Sequence, residues 1–380
     1  MSRSSEPLGI YVHIPFCRSI CPFCSFATAP RQKNFEEAYL KALKREIVGA
    51  RPNGKKDPLH VDSVYFGGGT PSILSADELR EILETIRWRF QVAADAEVSI
   101  ELDPGTADRK TLEGYVGAGV NRLSVGGQSL NDDVLQAIGR QHGTREIHQT
   151  FRDARSVGLT NINMDFMVGL PGEDLANDLE QLSELRPEHA SVYILELGSE
   201  VPMAKDEARG NLELPDDVNT LDSYRLVREA LMALELETYE ISNLARPGYE
   251  SRHNLKYWTD QPYLGFGASA HSYYQGVRFW NVRSPARYVE KIEDSGVATE
   301  TTEPYEPQRR AAEHLFTGLR RVQGVSLQEV QKRYGVSVMD RYGEKLQPFV
   351  DLGLVIVSDG ILRLSERGFL VSNEVFEIFL

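Results

Sequence analysis

The sequence predicts an α/β protein in which six strand–loop–helix units build an open or incomplete barrel, followed by a small C-terminal winged-helix-like module. Three observations predict it. Short β-rich runs alternate with segments of helical periodicity through the first half of the chain. The cysteine-rich and glycine-rich motifs fall in the loops that follow those runs, and parallel α/β folds gather their ligand sites at the carboxyl ends of the strands. The tail reads as helices followed by a short hairpin. A doubly wound sheet is the arrangement that alternation leaves open.

The strands are expected at 8–14, 61–66, 97–102, 121–125, 161–168 and 190–195, each bounded by Gly, Pro, Asp or Asn. Helical segments lie between and after them at 35–48, 76–90, 109–116, 132–138, 144–157 and 174–185, and Ser75 with Glu78 reads as a capping box opening the second. From 201 to 302 the pattern is less regular, with a helical run at 222–234 and a loop rich in aromatics and glycine from 239 to 280. Beyond Pro304, helices are expected at 308–320, 327–334 and 337–352, with Ser326 and Glu329 as another capping box. Strands at 354–357 and 361–364 flank Ser358-Asp359-Gly360, a hairpin signal. This divides the chain into a partial barrel over 1–230, an irregular extension over 231–303 and a winged-helix-like domain over 304–380.

Of the 380 residues, 41% are hydrophobic, enough to build a large core, which argues against disorder. No apolar run approaches the ~20 residues that span a bilayer, and the opening stretch to Gly9 lacks the apolar centre of a signal peptide. The expected location is therefore cytoplasmic. The net charge of −14 lowers the expectation of a nucleic-acid partner. The tail from Pro304 holds ten Lys/Arg and ten Asp/Glu, so a packing or lid role fits it better than DNA binding.

All three cysteines lie in Cys17-Arg-Ser-Ile-Cys21-Pro-Phe-Cys24, and an odd number cannot form a closed disulfide framework. Three thiolates on one tight loop hold three corners of a cubane iron–sulfur cluster, whereas a simple electron carrier uses four. One iron is then open to bind something else, and the count points to catalysis. The competing reading is a zinc site completed by a histidine such as His13.

The order of residues narrows this. Tyr11-Val-His-Ile-Pro-Phe-Cys-x3-Cys-Pro-Phe-Cys resembles the radical S-adenosylmethionine enzymes, and within them the group around oxygen-independent coproporphyrinogen III oxidase. The resemblance implies a radical-SAM partial barrel with a [4Fe-4S] cluster on Cys17, Cys21 and Cys24. It implies S-adenosylmethionine on the free iron, cleaved by an electron from the cluster to a 5′-deoxyadenosyl radical. Residue by residue, it sets Phe23 near the adenine and Gly67-Gly68-Gly69-Thr70-Pro71 against the methionine ammonium. Glu101 takes the position of the cofactor-binding glutamate, Gln128 lies near the ribose, Arg140 meets the cofactor carboxylate, and Asp165 is a further site carboxylate. Tyr11 and Met167, inside matching motifs, join the cofactor-binding set. One departure is Gly127, where the family more often has a branched apolar residue; looser packing is expected there.

Another departure separates branches. The oxidase pattern carries a fourth cysteine two residues after the third, and here that residue is Phe26. The run His253-Asn254-Leu255-Lys256-Tyr257-Trp258 instead resembles the HNxxYW hallmark of HemW-type haem chaperones, as does 264–272. That resemblance implies haem as cargo, a haem-acceptor protein and an electron donor. It nominates His253 as axial ligand ahead of His271, with Tyr257 and Trp258 stacking on the porphyrin and Arg252 and Lys256 meeting propionates. On the residues alone, His253 reads first as part of a hydrogen-bonded structural loop. The competing functions are a radical decarboxylase of coproporphyrinogen III, a radical enzyme acting on RNA, and a structural zinc protein.

Overall fold

The structure, a computed structural model, describes residues 6–51 and 58–380. Its main body is one twelve-stranded mixed sheet. The six predicted strands are β1 Leu8–Ile14, β2 His60–Gly68, β3 Gln91–Leu102, β4 Arg122–Gln128, β5 Ile162–Val168 and β6 His189–Ile194. They lie side by side in that order, every neighbouring pair parallel. β1 and β5 each have six of seven residues buried, which is why they read as nearly continuous apolar runs. Helices Lys33–Gly49, Ala76–Arg89, Arg109–Ala118, Thr144–Ser156 and Leu175–Leu185 connect them, close to their expected bounds. Ser75 and Glu78 form both halves of the capping box. At Ser326 only the hydroxyl half is present, because the Glu329 carboxylate is paired with Arg333 instead.

The stretch that reads as irregular supplies both edges of this sheet. β7 Glu237–Thr238 and β8 Asn243–Ala245 pair antiparallel beside β6. On the other side, β9 Tyr263–Phe266 runs parallel to β1 as a seventh parallel strand. β10 His271–Tyr274, β11 Val277–Asn281 and β12 Thr299–Glu303 then extend it as an antiparallel meander. The ends of the sheet, β12 and β7, are not paired with each other among the described residues, so the barrel is open.

The meander is anchored in the core by one buried carboxylate. Glu46 accepts from Gly267 N (2.9 Å), Asn281 Nδ2 (2.7 Å) and the Tyr288 hydroxyl (2.6 Å). Tyr39 adds a bond to Ala268 N (2.9 Å). Gly267 has φ +101°, and a Cβ there would lie 2.5 Å from the Tyr39 hydroxyl, so this turn requires glycine.

Apolar residues from Leu8 to Ala298 make one core, and those from Ala311 to Phe379 a second. The second packs helices Pro307–Gly318, Leu327–Tyr334 and Val338–Asp351 on a three-stranded sheet, β13 Val325–Ser326, β14 Val355–Ser358 and β15 Ile361–Leu364, with β15 in the middle. Asp359 and Gly360, at φ +53° and +75°, form the two-residue turn that their identities predict. This unit leans on the main body through Arg320 over the Trp258 ring (4.6 Å) and Arg333 and Tyr334 on Asp260. Among the described residues no helix is long and apolar enough to cross a membrane.

Candidate functional site

The loops after the parallel strands enclose a cavity of about 360 Å³. Cys17, Cys21, Phe23, Cys24, Gly68, Gly69, Thr70, Glu101, Gln128, Arg140, Asp165 and Met167 all line it. Twelve of the thirteen residues nominated for the metal and cofactor therefore converge on one space. The thirteenth, Tyr11, lies beneath, in an adjoining cavity of about 310 Å³ that shares Gly68, Glu101 and Phe26 with the first.

The cysteine loop is fixed at both ends. Phe16–Cys17 pairs with Ala29–Pro30, and Ala29 N and Arg31 N bond Pro15 O (2.8 Å) and Cys17 O (3.0 Å). The glycine motif presses against it from below: Gly69 N reaches Ile14 O (2.8 Å) and Thr70 N reaches Phe16 O (2.9 Å). A Cβ on Gly69 would lie 2.6 Å from Pro15 O and 2.9 Å from Cys17 Sγ. The glycine is thus required by the cysteine loop itself, a reason that holds before any ligand is considered.

Each sulfur has its own donor. Thr70 Oγ1 lies 3.5 Å from Cys17 Sγ, Arg140 Nη1 lies 3.4 Å from Cys21 Sγ, and the Phe26 N–H serves Cys24. Burial pushes the Cys17 thiol up to about 11, with Cys24 and Cys21 adding to it, and burial also raises Cys24. Three neighbouring thiols with three donors are a set that would release its protons to solvent as iron displaces them, the donors then stabilising the thiolates. Among the described residues, no three His, Cys, Asp or Glu side chains converge as a single ion needs. His13 is unavailable as a zinc ligand, because its nitrogens are engaged by the Tyr11 hydroxyl (3.1 Å) and Ala27 O (2.9 Å).

The opposite wall is acidic. Glu101 accepts from the Tyr65 hydroxyl (3.0 Å) and Gly68 N (3.0 Å), yet burial and nearby Asp165 push its carboxyl up to about 7. Asp165, bonded by Asn163 (2.7 Å) and Ser124 (3.3 Å), is raised by burial as well. Gln128 reaches the cavity through a bulge in β4 with φ +71°. Arg140 is held by an ion pair with Asp103 and by Gly126 O (2.7 Å), and its Nε is buried without a partner. The gap expected at Gly127 is closed by Met164, whose terminal methyl occupies the space a side chain there would need.

The structure separates the residues nominated for haem. His253 is fully buried, with Ser63 Oγ on Nδ1 (3.1 Å) and the Tyr257 hydroxyl on Nε2 (2.9 Å). Burial, with Lys256 and Arg122 nearby, lowers its pKa to about 3. Both ring nitrogens are engaged within the protein, and His253 stands on the helix Arg252–Trp258 rather than in the expected loop. Tyr257, one helical turn later on the same face of Arg252–Trp258, lines the second cavity. Trp258, the next residue, points elsewhere and carries Arg320 of the C-terminal unit. Lys256 is buried in a 2.7 Å ion pair with Asp62, and Arg252 bonds Asp95 O (2.7 Å), so neither is a free propionate partner. Replacing His253 by Ala is expected to destabilise the fold by about 2–4 kcal/mol through the cavity and the orphaned hydroxyls, measured by denaturant titration.

Sequence reasoning missed the end of β6, where Tyr193, Ile194, Leu195 and Glu196 close the cavity. The strand-end rule applied to the sixth strand would have found them.

Residues 11–185 match the radical SAM superfamily, and residues 305–371 match the HemN C-terminal domain. Heme chaperone HemW of Bacillus subtilis (strain 168) is 34% identical over 375 residues, 97% of this chain and 98% of that protein. Radical S-adenosyl methionine domain-containing protein 1, mitochondrial, of Bos taurus is 31% identical, covering 98% of this chain and 87% of that one. Among solved structures, the radical SAM enzyme coproporphyrinogen III oxidase (HemN) from Escherichia coli superposes with a TM-score of 0.85 at 26% identity, over 98% of this chain and 90% of that one. With its fold, its cysteine loop and its full-length likeness to these proteins, the chain belongs to the HemW heme chaperone family of the radical SAM superfamily.

Proposed function

We propose that this protein is a cytoplasmic haem chaperone that binds haem and passes it to an acceptor protein. In this reading it carries a [4Fe-4S] cluster on Cys17, Cys21 and Cys24, binds S-adenosylmethionine in the larger cavity, and draws on an electron donor. The observation that carries the reading is the pair of adjoining cavities, one ringed by the three thiols and the acidic wall, the other by aromatic side chains. The full-length likeness to proteins named heme chaperones supports it. So does the rim, where Ile20, Phe26, Tyr193 and Ile194 are 45%, 71%, 43% and 38% exposed, an apolar border suited to a flat hydrophobic cargo.

When bound, the reduced cluster supplies an electron to the cofactor sulfonium. The chain's own residues do the rest. Thr70, Arg140 and Phe26 N–H hold the thiolates, and Glu101 and Asp165 offer negative charge to a cationic ligand. A raised carboxyl favours the apo fold below about pH 4.5 and loses that contribution as pH rises through about 7. A cationic cofactor reverses this, since it needs Glu101 ionised. Its affinity is expected to rise by up to about tenfold per pH unit from pH 6 to 7 and to level off above, measured by equilibrium dialysis. The Glu101→Gln variant is expected to bind weakly with a flatter profile.

The test of the reading is anaerobic reconstitution with iron and sulfide, titration with haem, then mixing with an apo haem protein. A Soret shift followed by appearance of the acceptor's spectrum supports it. No shift at any haem concentration overturns it. The HemN superposition favours a second reading, oxidative decarboxylation of coproporphyrinogen III, which anaerobic turnover yielding protoporphyrinogen would establish.

A further inference from the structure

We infer that His271 is the axial ligand through which this chain grips the iron of its haem, with one face of the porphyrin laid over the mouth of the second cavity; this rests on the haem-binding reading above.

His271 opens β10 on the wall of the smaller cavity, facing Tyr11, Tyr257, Tyr263 and Phe26. It is the histidine whose ring is both open to a cavity and unengaged. His13, His142, His148, His189 and His253 all spend ring nitrogens on protein partners. His314 has its own partner within the C-terminal unit. His60 is exposed at the start of β2, the opposite end of that strand from the cysteine loop. No hydrogen bond engages the His271 ring among the described residues, and its side chain is exposed at the cavity mouth. An imidazole with an unengaged ring nitrogen beside three tyrosines and a phenylalanine is what a metalloporphyrin with an open axial position needs: one nitrogen for the iron and aromatic surface for the macrocycle.

The ring is also held in place. Trp280, directly across the β10–β11 pair, stacks on it with centroids 5.2 Å apart and planes 21° from parallel. The turn leading into it is the one anchored on Glu46 and Tyr39. Gly265 lies so close under His271 O that a Cβ would overlap it. The ligand therefore stands on a rigid element, which a metal site requires. Burial, with Arg278 nearby, lowers its pKa while Glu303 opposes them, so the neutral, iron-binding form is favoured. Because the two cavities share Gly68, Glu101 and Phe26, a porphyrin held here borders the cofactor space directly.

The test is haem titration of the reconstituted full-length protein, followed by Soret position and electron paramagnetic resonance, with cluster absorbance tracked in parallel. His271→Ala is expected to weaken haem binding by about tenfold or more, the loss of about 1.4 kcal/mol or more, and to shift the Soret band toward that of free haem with the cluster intact. Added imidazole is expected to restore the wild-type spectrum by filling the vacated position. His271→Met, which keeps an iron-binding side chain, is expected to hold haem with a thioether-ligated spectrum. His253→Ala is expected to keep the wild-type spectrum. Wild-type affinity and spectrum in both His271 variants would overturn the assignment while leaving haem binding standing. Absence of any haem binding by the wild type would overturn the functional reading, and the assignment with it.

Discussion

Replacing Cys21 with serine is expected to strip the reconstituted protein of its iron and its visible absorbance while leaving the fold nearly unchanged. The loop that carries Cys21 is tied by backbone bonds at Phe16–Cys17 and Ala29–Pro30, none of which involves the thiol. Cys21 itself is only partly buried and contributes little apolar area. The stability change is therefore expected to stay within about 1 kcal/mol, in the ordinary range for a substitution away from the core. The proposed cluster, by contrast, would lose one of its three thiolate ligands, the ligand type that holds such clusters. Iron analysis and a thermal melt on one sample separate the two effects. Retention of most of the iron by the serine variant would refute the assignment of the thiols.

The second large effect is expected from Gly69→Ala. The added methyl would meet the Pro15 carbonyl and the Cys17 sulfur at 2.6 and 2.9 Å, and the carbonyl belongs to backbone that is itself hydrogen-bonded to Ala29. Nothing flexible on that side can give way. Overpacking of this kind costs about 1–3 kcal/mol, and the strain falls on the cysteine loop, so iron content is expected to drop together with the melting temperature. Gly127→Ala makes the control: its methyl overlaps only the end of the Met164 side chain, which can rotate away. An alanine at 69 that melts and loads iron like the wild type would show that the glycine is not forced by the loop.

How much of this could be read beforehand follows from the length of the signals. The parallel strands are mostly seven or more residues long, buried on both faces and separated by capped helices, and each feature leaves a mark in the sequence. β7, β8 and β9 are two, three and four residues long, too short for a period-two pattern. β9 is a strand because β1 pairs with it from some 250 positions away, information that no local window contains. The early part of β3, Gln91 to Ala96, escaped notice because alanine and aspartate are poor strand formers, and its pairing with β2 resumes across a bulge. At the site, the motifs located the cysteines and the cofactor wall because those positions are fixed by strand ends. The run His253 to Trp258 was legible as a motif but not as a set of directions. Its residues lie on a helix, where neighbours 253 and 257 share a face and 258 turns away from it.

The parallel pairing of β1 with β9 also sets an order of events during synthesis. Strand β1 leaves the ribosome first, together with the cysteine loop, but one of its edges finds its partner only after residue 266 has emerged. Until then a strand of sequence Leu-Gly-Ile-Tyr-Val-His-Ile stands with half of its backbone unpaired. A nascent chain halted before Tyr263 is therefore expected to aggregate more readily than one halted after Asn281, when the meander is complete. In the same interval the thiols are present and the wall bearing His271 is not. The two cavities are thereby completed in sequence, timed by the distance along the polypeptide between its first strand and its ninth.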